Sequence, residues 1–183
     1  MSDEMIVRHC SPTLAGMKTG SMFAYTYASE NDMRESIRHW NRLLTKKGLR
    51  VLPLKFHNNR ALIYVYRPAK LSQDLKDGTA CRLLRERGYC MMTPEKCVIQ
   101  LMKRLGEYEE FPHEIGLFLG YPPEDVCGFI ENKAECCKCV GNWKVYGDAE
   151  VAQKTFAKYK KCTTVYCMQH ANGRSIEQLT VAN

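Results

Sequence analysis

No stretch of this sequence approaches the roughly 18 consecutive apolar residues that a membrane-spanning helix needs. Residues 1–4 are Met-Ser-Asp-Glu, an acidic start without the apolar segment of a secretory signal peptide. With only 12 glycines and 7 prolines among 183 residues, the composition also excludes collagen-like and low-complexity chains. These absences predict a cytoplasmic protein that forms a single domain over residues 1–183 and does not contact a membrane.

Cofactor signatures are also missing. The glycines fit neither the Walker pattern nor the dinucleotide-binding pattern, which disfavours the standard modes of nucleotide binding. Ten cysteines are present, but they do not form the two C-x-x-C pairs of a zinc ribbon. In a chain without an export signal they are expected to be reduced thiols, and their number is typical of an anaerobic or strongly reducing habitat. We therefore expect no cofactor and no bound metal.

The hydrophobic patterning predicts an α+β fold. An amphipathic helix is expected over 30–47, and a β-hairpin over 49–56 and 61–66 with an Asn-Asn turn. Two short apolar segments, 113–121 and 139–146, are typical of buried strands. Together they predict a small, mostly antiparallel sheet of about four strands covered by helices. The apolar stripe of the amphipathic helix consists of Met33, Ile37, Trp40 and Leu44.

A cysteine near the N-terminus is the first candidate for chemistry. Ser11-Pro12 is typical of an N-cap followed by the first helical position, which predicts a helix over 13–25 with Cys10 just before it. The unpaired amides at a helix N-terminus favour a thiolate, so Cys10 is the candidate nucleophile. His113, at the start of a predicted strand, is the candidate base, and Glu114 or a backbone carbonyl would orient its imidazole. This predicts a thiol-dependent hydrolase or acyl-transfer enzyme.

Three further residues are candidates for substrate binding. Lys18 adds positive potential near Cys10. Lys144 and Tyr146 alternate with Trp143 and Val145 along a predicted strand, so they share one face of it. Lys144 would contact an anion or oxyanion if that face lined the cleft, and would be an ordinary solvated lysine if it did not.

A non-catalytic binding protein is the alternative, in two forms. Cys136, Cys137 and Cys139 are thiols that a soft metal or an iron–sulfur cluster could use, although neighbouring cysteines on a strand point to opposite faces. Residues 133–174 contain eight basic and three acidic residues, which would attract nucleic acid or another polyanion. No Arg-rich or aromatic-interleaved motif accompanies this charge, so a solvated helix face is favoured over a polyanion site.

Two resemblances bear on these alternatives. The string HEIGLFLG at 113–120 resembles the histidine-bearing strand of NlpC/P60 cell-wall amidases, which implies a papain-like layout with His113 as base. Those enzymes have Asp-Cys at the nucleophile where this chain has His9-Cys10. The strings HCSPTLAGMK, FPHEIGLFLGYPPEDVCGFI and GNWKVYGD resemble, over the full length, a family of small proteins of unknown function from anaerobic bacteria. That resemblance implies one cytosolic domain and carries no activity.

Overall fold

The computed structural model describes residues 1–90, 93–107 and 111–182. Its regular structure consists of helices and two small antiparallel sheets, which confirms the predicted α+β class. The chain divides into two compact units. The first unit contains Met1–Ala69 and Tyr159–Asn183, and the second contains Lys70–Lys158.

The first unit contains a three-stranded sheet. Its strands are β1 (Gly20–Thr26), β2 (Arg50–His57) and β3 (Arg60–Tyr66), in the order β1-β3-β2. The predicted hairpin of β2 and β3 is confirmed. Asn58 and Asn59 form its turn with φ angles of 46° and 58°. Both angles are positive, as a two-residue hairpin turn requires, and asparagine tolerates them better than most residues do.

Two helices of the first unit contribute to the same hydrophobic core as this sheet. They are α1 (Asp3–Leu14), capped by Ser2, and α2 (Glu30–Leu44), capped by Ser29. The predicted α2 stripe is confirmed, because all four of its apolar residues are buried. The core joins that stripe to one face of the sheet and to four residues of α1: Ile6, Val7, Cys10 and Leu14.

The predicted helix over 13–25 is wrong. Helix α1 begins ten residues earlier, with Ser2 as its cap, and it ends at Leu14, before β1 begins at Gly20. Ser11 does not cap a helix; its hydroxyl donates to the carbonyl of Val7 within α1. Pro12 lies in the last turn of α1 and not at its first helical position. Cys10 is therefore inside α1 and not at a helix N-terminus.

The second unit is mainly helical. Its helices are α3 (Pro68–Asp74), α4 (Gly78–Glu86), α5 (Pro94–Glu107), α6 (Ile115–Phe118) and α7 (Pro123–Glu131). A two-stranded hairpin follows, with β4 (Cys139–Val140) paired to β5 (Lys144–Val145). Helix α8 (Ala149–Ala171) is divided between the two units, and α9 (Ile176–Leu179) belongs to the first.

The predicted strand over 113–121 is also wrong, because this segment forms the single helical turn α6. Its residues Ile115–Phe118 are buried on every side. A short apolar run that is buried all round has no hydrophobic period, so it does not distinguish a strand from a helical turn. The predicted segment 139–146 is a tight hairpin, so the predicted four-stranded sheet is instead one sheet of three strands and one of two.

No helix in the described part of the chain has both the length and the hydropathy of a membrane span.

Candidate ligand-binding site

The predicted site residues are divided between the two units. Cys10 and Lys18 belong to the first unit, whereas His113, Glu114, Lys144 and Tyr146 belong to the second. The predicted pairing of Cys10 with His113 joins residues of different units and stays a prediction.

The environment of Cys10 is unlike that of an activated thiol. Its side chain is fully buried in the core of the first unit. Burial raises the pKa of Cys10 to about 12, although the nearby Lys18 acts to lower it. Burial also lowers the pKa of Lys18 to about 8, against the opposing effect of Cys10. The premise of a thiol activated by a helix N-terminus is wrong, because the helix amides that would stabilise a thiolate are at Asp3, two turns away.

We expect Cys10 to be one of the slowest cysteines to react with iodoacetamide in the native protein. The thiolate is the reactive form, and both burial and a raised pKa suppress it. Cys90 and Cys136 are exposed, so they should be labelled roughly a hundred times faster near pH 7.5. Peptide mass spectrometry at limiting reagent gives the order, and labelling in urea should remove the difference. Labelling of Cys10 first in the native protein would restore it as the candidate nucleophile.

The second unit contains a cavity of about 190 Å³ that we call the aromatic cavity. Its walls are mainly apolar, and Ile115 and Val126 contribute aliphatic surface to them. The indole of Trp143 stacks on Tyr121 at 4.9 Å and meets Phe156 edge-on at 4.6 Å. The rings that line the cavity belong to Phe111, His113, Tyr121, Phe129 and Trp143.

A buried carboxylate holds the wall that carries Trp143. Asp125, in the first turn of α7, accepts a hydrogen bond of 2.6 Å from the indole Nε1. Its other oxygen accepts from the amides of Tyr146 and Gly147, each at 2.7 Å. These three donors lie on both sides of β5 and fix this strand against α7, so the cavity wall is preformed. Sequence reasoning missed Asp125, although an acidic residue just after Pro122-Pro123 at a helix start is a signal for such a role.

A glycine forms part of the cavity floor. A Cβ at Gly116, in α6, would lie 2.8 Å from Val126 Cγ2 and 3.2 Å from Tyr121 Cδ2. Glycine at this position therefore lets α6 and α7 approach closely.

Lys144 lines the aromatic cavity, as His113 does. Its ammonium donates to the carbonyl of Ala134 at 2.7 Å and lies 6.0 Å from the centre of the Phe129 ring. Tyr146 does not line the cavity; it packs on Gly128, where a Cβ would lie only 2.5 Å from the tyrosine side chain. The structure thus brings His113 and Lys144 to one cavity and gives Tyr146 a packing role.

A second cavity of about 400 Å³, the polar cavity, shares Phe111, His113 and Phe129 with the aromatic one. Glu114 lines it and is 1% exposed. Its Oε1 accepts from Tyr89 Oη at 3.1 Å and from Arg104 Nε at 2.9 Å, while Oε2 has no partner in the described part of the chain. Burial and the charge of Glu114 raise the pKa of Tyr89, which keeps its hydroxyl a donor. Glu114 thus holds Arg104 and Tyr89. In the described structure it does not hold the imidazole of His113, which was one of the two predicted ways of orienting that ring.

The cysteine cluster forms no metal site in the described structure. Cys136 is exposed with a positive φ of 55°, and Cys137 and Cys139 are half-buried. Among residues 1–90, 93–107 and 111–182, no three histidine, cysteine or acidic side chains are grouped so that they could hold a metal ion.

Comparison with known proteins gives one match. A family model described as a protein of unknown function (DUF3793) matches residues 6–180. This chain belongs to that family. The match extends over both units, and the family description assigns no activity. No curated protein and no solved structure matches the chain.

Proposed function

We propose that this DUF3793 protein is a binding protein whose second unit takes up a small organic molecule with a flat apolar group. The aromatic cavity carries the proposal, because five rings surround about 190 Å³ of mainly apolar space. A dry cavity of about 150 Å³ in another protein is large enough to bind benzene. A planar ring therefore fits this space, stacked between side chains that prefer such contacts.

The side chains that form the cavity walls are held in place by contacts with one another, which favours a binding site over a packing defect. Trp143 is held by Asp125, and Tyr121 is stacked on Trp143, so the cavity does not depend on a ligand for its shape. Phe111 and His113 are exposed, so a ligand can reach the cavity from solvent on their side. Ligand sites are commonly concave, apolar and preformed, with few polar groups.

The fluorescence of Trp143 tests this proposal. The chain has two tryptophans, and Trp40 belongs to the core of the first unit. Its Nε1 has no hydrogen-bond partner in the described structure, so Trp40→Phe removes no such bond and leaves Trp143 as the reporter. We expect 3-phenylpropan-1-ol to change this fluorescence in a saturable manner. An unchanged signal up to millimolar concentrations, with this alcohol and with charged phenyl compounds, would reject the proposal.

A pair of surface variants provides the control. Phe111 lines the cavity and is 51% exposed, whereas Ile99, also in the second unit, is 52% exposed and lines neither cavity. Phe111→Ser should weaken binding several-fold with little loss of stability, because the side chain is already half in water. Ile99→Ser should leave binding unchanged. Equal effects of the two variants would place the ligand elsewhere.

The other functions stay predictions from the sequence. They are thiol-dependent hydrolysis of the NlpC/P60 kind, soft-metal binding and polyanion binding, together with a cytoplasmic location in an anaerobic bacterium. The buried environment of Cys10 does not favour the first. Lys154, Lys158 and Lys161 are exposed on α8, which is compatible with a polyanion site, but Lys154 is paired with Glu150.

A further inference from the structure

Phe111, His113 and Phe129 line both cavities of the second unit, so the two cavities are adjacent. This arrangement indicates which kind of molecule they bind. We infer that the ligand is an organic anion, in which a carboxylate or phosphate in the polar cavity is attached to the flat group in the aromatic cavity. This inference rests on the proposed function. It adds the sign of the ligand's charge and the residues that recognise it.

The side chains that line the polar cavity carry more positive than negative charge. Arg87, Arg104 and Lys133 line it, and Glu114 is the acidic residue among its lining residues. The described lining therefore carries an excess of two positive charges when His113 is neutral. Low-dielectric walls, here Phe111 and Phe129, strengthen the field of such charges and raise the local concentration of an anion.

Two of the cations that line the polar cavity, Arg87 and Lys133, are not neutralised by a carboxylate of the described residues. The carboxylate of Glu114 pairs with Arg104, whose NH1 also donates to the Arg87 carbonyl at 2.9 Å. In the described part of the chain, neither the Arg87 guanidinium nor the Lys133 ammonium has a carboxylate within salt-bridge distance. A guanidinium and an ammonium that line one cavity match a carboxylate or phosphate, since the first binds in a bidentate manner and the second as a point charge.

The backbone at Lys133 supports a functional position. Lys133 and Ala134 both line the polar cavity, and their φ angles are +49° and +66°. Two consecutive residues other than glycine in this left-handed region cost about 1 kcal/mol each. Helix α7 could end with a glycine here at no such cost, so the strained lysine favours a role for its side chain.

A cationic ligand could stack on the rings of the aromatic cavity, but the charged side chains around both cavities would repel it. Aromatic cages bind quaternary ammonium groups, and the aromatic cavity has enough rings to form one. However, the Lys144 ammonium already lies 6.0 Å from the Phe129 ring. The carboxylate of Asp125 is occupied by three hydrogen bonds from Trp143, Tyr146 and Gly147. An incoming cation would therefore meet Lys144 and the polar cavity's cations without a free carboxylate in the aromatic cavity.

The experiment compares three compounds with the same phenylpropyl skeleton by Trp143 fluorescence in the Trp40→Phe protein. They are 3-phenylpropanoate, 3-phenylpropan-1-ol and 3-phenylpropylamine. We expect the anion to bind at least ten-fold more tightly than the alcohol, and the amine to bind most weakly. 3-Phenylpropyl phosphate, which keeps this skeleton, distinguishes a phosphate from a carboxylate as the anionic group. The advantage of the anion over the alcohol should shrink as salt rises from 0.05 to 0.5 M, because the Debye length falls from about 14 Å to about 4 Å and salt screens these charges.

Variants assign the recognition to named residues. Arg87→Gln and Lys133→Asn should each weaken 3-phenylpropanoate binding about five- to ten-fold and leave the alcohol unchanged; asparagine tolerates the positive φ at 133. Arg85→Gln, an exposed arginine of α4 outside the polar cavity, is the control. Equal affinity for anion and alcohol would overturn the inference and leave the proposed function intact. Tightest binding of the amine would replace it with a cation site, and no binding of any compound would reject the proposed function itself.

Discussion

Arg67→Met is expected to lower the free energy of unfolding of the first unit by about 3–5 kcal/mol. Arg67 is fully buried, and its guanidinium donates to backbone carbonyls. Nε reaches Thr13 O at 2.7 Å, and NH2 reaches Leu14 O at 2.8 Å and Val181 O at 2.7 Å. The guanidinium thus caps the C-terminus of α1 and joins it to the segment after α9.

The guanidinium also donates to Lys47 O at 3.5 Å, so four backbone carbonyls accept charge-assisted hydrogen bonds from Arg67. Thr13 and Leu14 form the last turn of α1, where a helix leaves its carbonyls unpaired. A cation is also favoured there by the helix dipole. Methionine fills similar volume and supplies no donor, so the Thr13 carbonyl and that of Val181 would lose their arginine contacts. The Thr13 and Leu14 carbonyls still accept from the amides of Gly16 and Val181, so the expected loss comes from the hydrogen bonds to the charged donor, each worth about 1.5–3 kcal/mol.

Urea unfolding followed by Trp40 fluorescence in a Trp143→Phe background reports on the first unit, because Trp40 lies in its core. Arg67→Lys keeps the charge but cannot present a planar fork, so it should lose roughly half as much. Arg34→Met is the matched control, since the Arg34 side chain is 51% exposed, pairs with Glu30 and lies 5.4 Å from the centre of the Phe56 ring. That variant should change stability by less than about 0.5 kcal/mol. An Arg67→Met loss no larger than that of Arg34→Met would contradict this account.

The elements that were predicted correctly are those whose pattern is local and periodic. Helix α2 has its apolar residues at helical spacing, and the β2–β3 hairpin has an Asn-Asn turn between two β-prone segments. Each signal lies within about 18 residues and needs no knowledge of the rest of the chain. The helix over 13–25 failed for the opposite reason: Ser11-Pro12 is a valid local start signal, but burial in the core extended α1 through it.

The candidate site was predicted in part. His113, Glu114 and Lys144 stand out by residue type, and all three line the cavities of the second unit. Arg87 and Asp125 were missed, because their importance depends on distant partners. Asp125 is defined by contacts 18 to 22 residues later in the chain, and Arg87 by a cavity that α5 and α7 complete. Sequence spacing alone does not reveal such long-range contacts.

Asp125→Ala is expected to lower the free energy of unfolding of the second unit by about 3 kcal/mol and to abolish ligand binding in the aromatic cavity. The side chain is 3% exposed, and its removal leaves the Trp143 indole and two backbone amides without their acceptor. The wall formed by Trp143 then loses its fixed position. Urea unfolding monitored by Trp143 fluorescence in the Trp40→Phe protein measures the first effect, and titration with 3-phenylpropan-1-ol measures the second.

A double-mutant cycle separates the contribution of the hydrogen bond between Trp143 and Asp125 from that of the two backbone amides that donate to Asp125. Asp125→Asn keeps the shape and one oxygen, which can still accept from the amides of Tyr146 and Gly147. Its NH2 group then faces the N–H of Trp143, so two donors oppose each other. Trp143→Phe removes that second donor, and Asp125→Asn should therefore cost about 1 kcal/mol less in the Trp143→Phe protein than in the native one. Circular dichroism in urea measures all four proteins without the tryptophan signal. An Asp125→Asn loss that is the same in both backgrounds would mean that the indole contributes nothing through its N–H, and that the two backbone amides alone hold the cavity wall.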